Sequence, residues 1–181
     1  MILPFKLVMI VGGMYAGKST QLRYLYTKSY ANSKSIYIKF SSNESMYPVL
    51  TEEDIKTHGN LLVRGYRATH LSQVPLDYDI YFLDELQFVK DLHKIYTMFK
   101  DKLVFATSLD MDYNGEPFDE IGELLCKAYR VEKLHTVCSC GERAYLSLKI
   151  CEGNDRIIEN EIDGFLPVCK KCYEEGVKDL Y

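Results

Sequence analysis

Residues 6–19 read Lys6-Leu-Val-Met-Ile-Val-Gly-Gly-Met-Tyr-Ala-Gly-Lys-Ser19. The apolar run Leu7–Val11 predicts a strand buried on both faces, as is typical of parallel sheets. Residues 12–19 match the pattern G-x-x-x-x-G-K-[ST], and apolar residues at helical spacing follow at Leu22, Leu25 and Tyr26. A strand, a glycine-rich loop and a helix in this order predict a phosphate-binding loop in an α/β fold.

Each part of this loop has an expected role. Glycines let the backbone curl so that its N–H groups surround phosphate oxygens. We expect Lys18 to bridge the terminal phosphates, the Ser19 hydroxyl to coordinate Mg²⁺, and Thr20 to cap the helix or contact a phosphate. The predicted phosphate-binding set is Gly12, Gly13, Met14, Tyr15, Ala16, Gly17, Lys18, Ser19 and Thr20. The alternative is a glycine-rich turn with a solvated lysine.

Strand and helix patterns alternate through the rest of the first two thirds of the chain. Further strands are predicted at Ser35–Phe40, Asp79–Asp84 and Lys102–Thr107. One helix is predicted from the apolar face Leu92, Ile95, Tyr96 and Phe99, and another over Phe118–Lys127. We interpret Ser41–Asn60 as a mobile loop because it is polar and aperiodic. The alternation predicts a doubly wound, mostly parallel sheet.

Two adjacent carboxylates, Asp84 and Glu85, end a predicted strand. In a parallel sheet they lie at the carboxyl edge, where ligands bind. Asp84 is the expected magnesium-side acid, and Glu85 is a candidate proton acceptor for an attacking hydroxyl group. In one alternative Glu85 activates water, as in an ATPase, and in another both residues are ordinary solvated acids.

Composition limits the classes of function. A chain of 181 residues that is 47% hydrophobic can bury one core beside a small module. The net charge of -4 is spread over mixed acidic and basic residues, which favours a small soluble substrate over nucleic acid. The apolar run near the N-terminus is too short to span a membrane and lacks a signal-peptide cleavage pattern, so we expect a cytoplasmic protein.

Four of the six cysteines form two close pairs. Cys138 and Cys140, together with Cys169 and Cys172, fit a tetrahedral structural zinc site. Gly141 is expected to permit the tight turn of the first pair. Without zinc these residues are reduced thiols. Cys126 and Cys151 are expected to pack in the interior.

An alternative function is that of a non-catalytic protein whose zinc module binds nucleic acid through Lys170 and Lys171.

Together, these motifs resemble those of type II thymidine kinases, which are phosphate-loop deoxynucleoside kinases with a zinc-binding lasso domain. The resemblance rests on residues 12–20, Asp84–Phe88, Leu109–Tyr113 with Phe118, and both cysteine pairs. It implies a nucleotide-binding α/β domain at 1–134, a lasso domain at 135–176 and a tail at 177–181. It also implies a homo-oligomer, either a dimer or a tetramer.

The resemblance implies transfer of the γ-phosphate of ATP to the 5′-hydroxyl of thymidine, with Mg²⁺ as cofactor. Glu85 would be the base, and Asp84 and Gln87 would border the phosphates. The implied nucleoside-binding set is Met14, Phe88, Leu109, Tyr113, Phe118, Lys149, Ile158, Glu159, Asn160, Glu161 and Phe165.

Several positions depart from the family pattern. Asn43-Glu-Ser45 replaces Asp-x-Arg, and Thr57-His58-Gly59 replaces Thr-His-Asp. Lys149 replaces arginine, Phe165 replaces tyrosine, and the usual Gly-Gly is absent near Asn160-Glu161. Because lysine lacks the bidentate fork of arginine, we expect looser phosphate binding. A weakly active or inactive kinase homologue is therefore an alternative.

Overall fold

The computed structural model describes residues 6–30, 32–56, 62–150 and 164–178. Within these ranges the central sheet has seven strands, in the order β3-β4-β2-β5-β6-β1-β7. They are β1 (Lys6–Val11), β2 (Ser35–Phe40), β3 (Thr51–Lys56), β4 (Leu62–Ala68), β5 (Ile80–Asp84), β6 (Leu103–Ser108) and β7 (Arg130–Lys133). β3 pairs antiparallel with β4, and every other neighbouring pair is parallel.

Helices cover both faces of this sheet. α1 (Lys18–Tyr24) continues as a π-helical turn over Leu25–Ser29 and packs Leu22 against Ile10, Tyr37, Phe82 and Phe105. On the opposite face, α2 (Ile95–Met98) and α3 (Asp119–Lys127) pack against the larger core. This face also carries 3-10 turns at Leu71–Gln73, Leu86–Phe88 and Leu92–Lys94. The predicted α/β, mostly parallel fold is confirmed.

Part of the predicted loop Ser41–Asn60 is a strand, so that prediction is wrong for β3. The polar sequence Thr-Glu-Glu-Asp-Ile-Lys forms an edge strand in which Ile55 is fully buried. Backbone pairing with β4 forms this strand, and two ion pairs add to it: Arg64 Nε lies 2.9 Å from Glu52 Oε1, and Arg67 Nε lies 2.5 Å from Glu53 Oε1. These pairs join separate segments, so the composition of either segment alone does not indicate them. Residues 57–60 lie outside the described part of the chain.

Beyond Leu134 the fold changes to small antiparallel sheets. β8 (Thr136–Val137) pairs with β9 (Arg143–Ala144), and β10 (Leu146–Lys149) pairs with β11 (Phe165–Val168). α4 (Lys170–Lys178) runs two residues past the predicted start of the tail. The domain boundaries remain predictions. None of the helices within the described ranges has the length and apolar character needed to cross a bilayer.

Parallel pairing brings the ends of four strands to one edge. β2, β5, β6 and β1 are consecutive neighbours in the sheet and point the same way. Asp84 is the last residue of β5, and the phosphate-loop residues, Glu85 and Leu109 directly follow β1, β5 and β6. The sheet therefore brings together residues separated by up to about a hundred positions in sequence, at the edge where such folds bind ligands.

A substitution at Gly65 can test how closely β4 packs against its neighbours. A Cβ atom at Gly65 would lie 2.9 Å from both the Tyr37 carbonyl oxygen and Ile55 Cδ1. We expect Gly65→Ala to lower the free energy of unfolding by about 1–3 kcal/mol, because a backbone atom must move. Gly122→Ala in α3 is the matched control, since a Cβ there meets nothing within 4 Å. It should be neutral or stabilise by about 0.5–1 kcal/mol. Urea unfolding measures both, and equal stability of the two variants would contradict this packing.

Candidate functional site

The phosphate loop, residues 12–17, joins β1 to α1. Gly12 and Gly17 adopt φ of 140° and 86°, and Tyr15 adopts φ of 60°. A Cβ at Gly12 would lie 2.2 Å from the Leu134 carbonyl oxygen, so this position requires glycine. Lys18 Nζ donates to the Gly13 carbonyl oxygen at 2.7 Å across the curled loop. The predicted strand, loop and helix are therefore present.

Lys18 lies among carboxylates. It is only 7% exposed, and this burial lowers the pKa of its ammonium group. The charges of Glu85, Asp84 and Asp110 oppose that shift by favouring the ammonium form. The amine thus lies within electrostatic range of the two predicted acids.

Asp84 is fully buried and accepts hydrogen bonds from three hydroxyl groups. Ser19 Oγ donates to Oδ1 at 2.9 Å, Tyr37 Oη donates to Oδ2 at 2.7 Å, and Thr107 Oγ1 also donates to Oδ1. Burial raises the pKa of Tyr37 well above its ordinary value, so its hydroxyl stays protonated as a donor. The carboxylate thereby connects α1, β2, β5 and β6.

Glu85 has a left-handed backbone, with φ of 65° and ψ of 51°. This conformation is uncommon for a side chain other than glycine and is concentrated at functional sites. The Glu85 N–H donates to Thr107 Oγ1 at 3.1 Å, which couples Glu85 to Asp84 through one threonine hydroxyl. The turn directs the two adjacent carboxylates to different partners.

Gln87 orients the Glu85 carboxylate. Gln87 Nε2 donates to Glu85 Oε2 at 2.6 Å. Its carbonyl oxygen, Oε1, accepts from Ser108 Oγ at 3.1 Å and from the Leu109 N–H at 3.2 Å. Because the Gln87 carbonyl oxygen accepts these two hydrogen bonds, the amide nitrogen is the atom that faces Glu85. A third neighbour of Glu85 is Lys39, whose Nζ lies 4.0 Å from Oε1.

The C-terminal part of the chain contacts the phosphate loop. The Met14 N–H donates to Ser147 Oγ of β10 at 3.4 Å. A Cβ at Gly13 would lie 3.5 Å from the Tyr145 carbonyl oxygen. The segment after Leu134 therefore packs directly against the loop and forms one side of the candidate site.

Three of the predicted nucleoside-binding residues lie in contact. The rings of Tyr113 and Phe165 are 6.1 Å apart, and Lys149 Nζ lies 4.7 Å from the centroid of the Tyr113 ring. Tyr173 Oη donates to the Tyr113 carbonyl oxygen at 2.7 Å, so α4 supports this group. We call Tyr113, Lys149 and Phe165 the aromatic cluster.

The other predicted nucleoside-binding residues that the structure describes have contacts elsewhere in the protein. Phe88 and Phe118 pack against the large core, and the Leu109 N–H binds Gln87. Met14 reaches the C-terminal segment through its backbone N–H. Ile158, Glu159, Asn160 and Glu161 lie outside the described residues.

The four paired cysteines meet at one point. The Sγ atoms of Cys138, Cys140, Cys169 and Cys172 all lie within 4.8 Å of one another, and those of Cys140 and Cys169 are 3.6 Å apart. Zinc bonds to sulfur of about 2.3 Å separate the sulfurs by roughly 3.8 Å, so the set fits a tetrahedral ion. Gly141 has φ of 92°, which provides the expected tight turn. Cys126 is exposed, so its predicted interior position is wrong, while Cys151 lies outside the described residues.

The thiols of this group differ in acidity. Hydrogen bonds from the backbone N–H groups of Cys140 and Cys169 lower the pKa of Cys138 to about 6. Hydrogen bonding with the sulfurs of Cys140 and Cys138 raises the pKa of Cys172 to about 12. The four clustered thiols therefore lose their protons unequally, and binding of a metal ion would displace the protons that remain.

Motif reading did not identify several residues that hold the site together. Tyr37, Thr107, Lys39 and Ser147 each contact a predicted site residue. Tyr37 and Lys39 are two residues apart in β2, and side chains two residues apart in a strand lie on the same face. This spacing is the sequence signal that relates them. No motif joins them to Asp84 or Glu85, because those contacts cross between strands.

The assembled groups suit phosphoryl transfer. A glycine loop with a buried lysine can bind the terminal phosphates, and a hydroxyl–carboxylate pair can hold a divalent cation. A separately oriented carboxylate can accept a proton. These three groups meet at the carboxyl edge of the sheet.

Comparison with known proteins agrees with this chemistry. Residues 5–173 match the family model described as thymidine kinase. A thymidine kinase from Pseudothermotoga lettingae is 32% identical over 180 residues, covering 94% of this chain and 95% of the relative. Thymidine kinase 1 of Dictyostelium discoideum is 29% identical over 175 residues, with 93% and 77% covered. Thymidine kinase a of Arabidopsis thaliana is 28% identical over 177 residues, with 91% and 73% covered. The chain belongs to the thymidine kinase family.

Proposed function

We propose that the protein transfers the γ-phosphoryl group of ATP to the 5′-hydroxyl of thymidine, with Glu85 as the catalytic base. The main support is the position of Glu85. Its carboxylate is held by Gln87 at 2.6 Å, and its charge acts on the buried amine of Lys18 in the phosphate loop. A base and a phosphate-binding cation at one edge of the sheet suit direct transfer between two bound substrates.

The reaction is a single in-line displacement. Glu85 takes the proton of the 5′-hydroxyl as a bond forms between the 5′-oxygen and the γ-phosphorus. The bond between that phosphorus and the oxygen bridging to the β-phosphate breaks, and its electron pair leaves with ADP. The products are ADP and the nucleoside monophosphate, and Lys18 offsets negative charge on the transferring group.

Ser19 and Asp84 are the proposed magnesium-binding pair. Ser19 Oγ and Asp84 Oδ1 are 2.9 Å apart, at the mouth of the phosphate loop. Hydroxyl and carboxylate oxygens suit this hard cation, which would supply charge neutralisation on the β- and γ-phosphates. Tyr37 and Thr107 keep the Asp84 carboxylate oriented whether or not Ser19 turns away. Thr20 and the other loop residues 12–17 complete the proposed phosphate site.

The aromatic cluster is the proposed binding site for the nucleoside. Tyr113 and Phe165 present flat apolar surfaces suited to a pyrimidine ring. Lys149 is 8% exposed and adds a buried positive charge to this group. Met14, Phe88, Leu109 and Phe118 are proposed to complete the pocket. In this proposal residues 1–134 bind ATP, residues 135–176 close over the nucleoside, and the chains assemble as a dimer or tetramer in the cytoplasm.

Replacing Glu85 tests the proposed base. Glu85→Gln keeps an oxygen that can accept from Gln87 but removes the basic carboxylate. We expect kcat to fall by about 10²–10⁴-fold, with KM for ATP and thymidine nearly unchanged. Steady-state assays of ADP release with Mg-ATP and each deoxynucleoside measure this effect.

Glu120→Gln, on the exposed surface of α3, is the matched control and should retain full activity. If Glu85→Gln matched the wild-type kcat, Glu85 would not be the base. If ATP turnover were independent of added nucleoside, an ATPase that activates water would replace the kinase proposal.

Zinc content tests the proposed structural metal. We expect the purified protein to hold about one zinc ion per chain and Cys172→Ser to lose most of it. Cys126→Ser, which changes an exposed thiol outside the group, should retain the ion. Because zinc must displace protons from thiols such as Cys172, the apparent affinity should rise with pH. Metal analysis and titration with a chelator at several pH values measure both effects. Equal zinc in Cys172→Ser and wild type would exclude this site.

A further inference from the structure

Lys39 is a partly buried cation that no motif of the chain explains. It lies near the carboxyl end of β2, in register with Asp84 of β5 and Arg67 of β4. Its side chain is 15% exposed, and its Nζ lies 4.0 Å from Glu85 Oε1. This distance is too long for a hydrogen bond, for which donor and acceptor approach to about 2.7–3.2 Å.

The ammonium group of Lys39 makes no hydrogen bond to any residue that the structure describes. An ammonium group has three donors, and the 15% exposure of the Lys39 side chain leaves them open to solvent or to a ligand. Arg67, its neighbour in register, differs because its guanidinium lies 2.5 Å from Glu53 Oε1. Lys39 has no such hydrogen-bonded carboxylate, because its nearest one, that of Glu85, is 4.0 Å away.

The position of Lys39 shows which ligand atom it suits. Lys39 lies beside the carboxylate that receives the 5′-hydroxyl proton, whereas Lys18 extends from the phosphate loop to the Gly13 carbonyl. A phosphoryl group moving from ATP to the 5′-oxygen approaches Glu85 and is repelled by its negative charge. A cation on the Glu85 side offsets this repulsion as transfer proceeds.

We propose that Lys39 is a further catalytic residue, whose ammonium group donates to an oxygen of the transferring phosphoryl group. This inference rests on the proposed kinase function. Lys39 contributes most when the phosphoryl group lies between ADP and the 5′-oxygen, so it stabilises the transition state more than either substrate. Lys39 does not itself gain or lose a proton in the step.

Kinetics provide the first test. Lys39→Met removes the charge but preserves much of the apolar stem, and we expect kcat to fall by about 100-fold with both KM values within about threefold. Lys39→Arg should recover part of the loss because it restores a cationic donor. Lys34→Met is the control, since Lys34 is exposed at the opposite end of β2 and lies 4.0 Å from Asp77. Thermal unfolding of each variant verifies that it is folded.

A double-mutant cycle separates contact with the phosphoryl group from support of Glu85. The probe is a mixture of ADP, aluminium fluoride, Mg²⁺ and thymidine, which mimics the transferring group, and its binding is measured by calorimetry. Direct contact predicts that Lys39→Met weakens binding by about 100-fold in wild type and also in Glu85→Gln. A role exercised only through the Glu85 carboxylate predicts no further loss in Glu85→Gln.

The outcomes distinguish this inference from the proposed function. If wild type forms ADP in a thymidine-dependent manner and Lys39→Met is as active, only the role of Lys39 fails. It also fails if the binding effect disappears in Glu85→Gln, or if the loss is confined to KM for thymidine. If wild type shows no nucleoside-dependent transfer, the kinase proposal fails and the role of Lys39 fails with it.

Discussion

The candidate site depends on the buried carboxylate of Asp84. Three hydroxyl groups, from Ser19, Tyr37 and Thr107, donate to it from three different segments. A buried carboxylate requires such donors, because an unpaired charge in the interior costs far more than an exposed one. The same bonds therefore satisfy Asp84 and set the positions of the phosphate loop, β2 and β6. Thr107 extends the arrangement by accepting the N–H of Glu85, so the geometry of the proposed base follows from that of its neighbour.

The adjacent carboxylates Asp84 and Glu85 have different partners because the backbone turns sharply between them. Asp84 ends β5 and points into the protein, while the left-handed conformation of Glu85 sends the next carboxylate towards Gln87 and Lys39. If β5 continued as an extended strand, the side chains of Asp84 and Glu85 would lie on opposite faces of the sheet. The turn instead leaves Glu85 partly exposed at the edge of the sheet. The strain of this conformation is offset by the hydrogen bonds that hold it.

The segment after Leu134 completes the site from the other side. Ser147 binds the phosphate loop, and Lys149 and Phe165 of the β10–β11 sheet meet Tyr113 from the α/β part of the chain. Cys138 and Cys169, which belong to the group that fits zinc, lie in the small core beside these strands. A small sheet with few apolar residues gains stability when a metal fixes its ends, because metal binding then contributes to folding. The cysteine group and the nucleoside-binding candidates are thus parts of one structural unit.

The sequence by itself determined the phosphate loop, the mostly parallel α/β fold, the acid pair and the four cysteines, because each is visible as a short pattern of residue types along the chain. Its local patterns did not reveal β3, a polar strand stabilised by ion pairs from Glu52 and Glu53 to β4. They also did not reveal Lys39, Tyr37 or Thr107 as neighbours of the acids. Only the tertiary structure decided these contacts, because sheet order and register, rather than spacing along the chain, determine which side chains meet at the edge of a sheet.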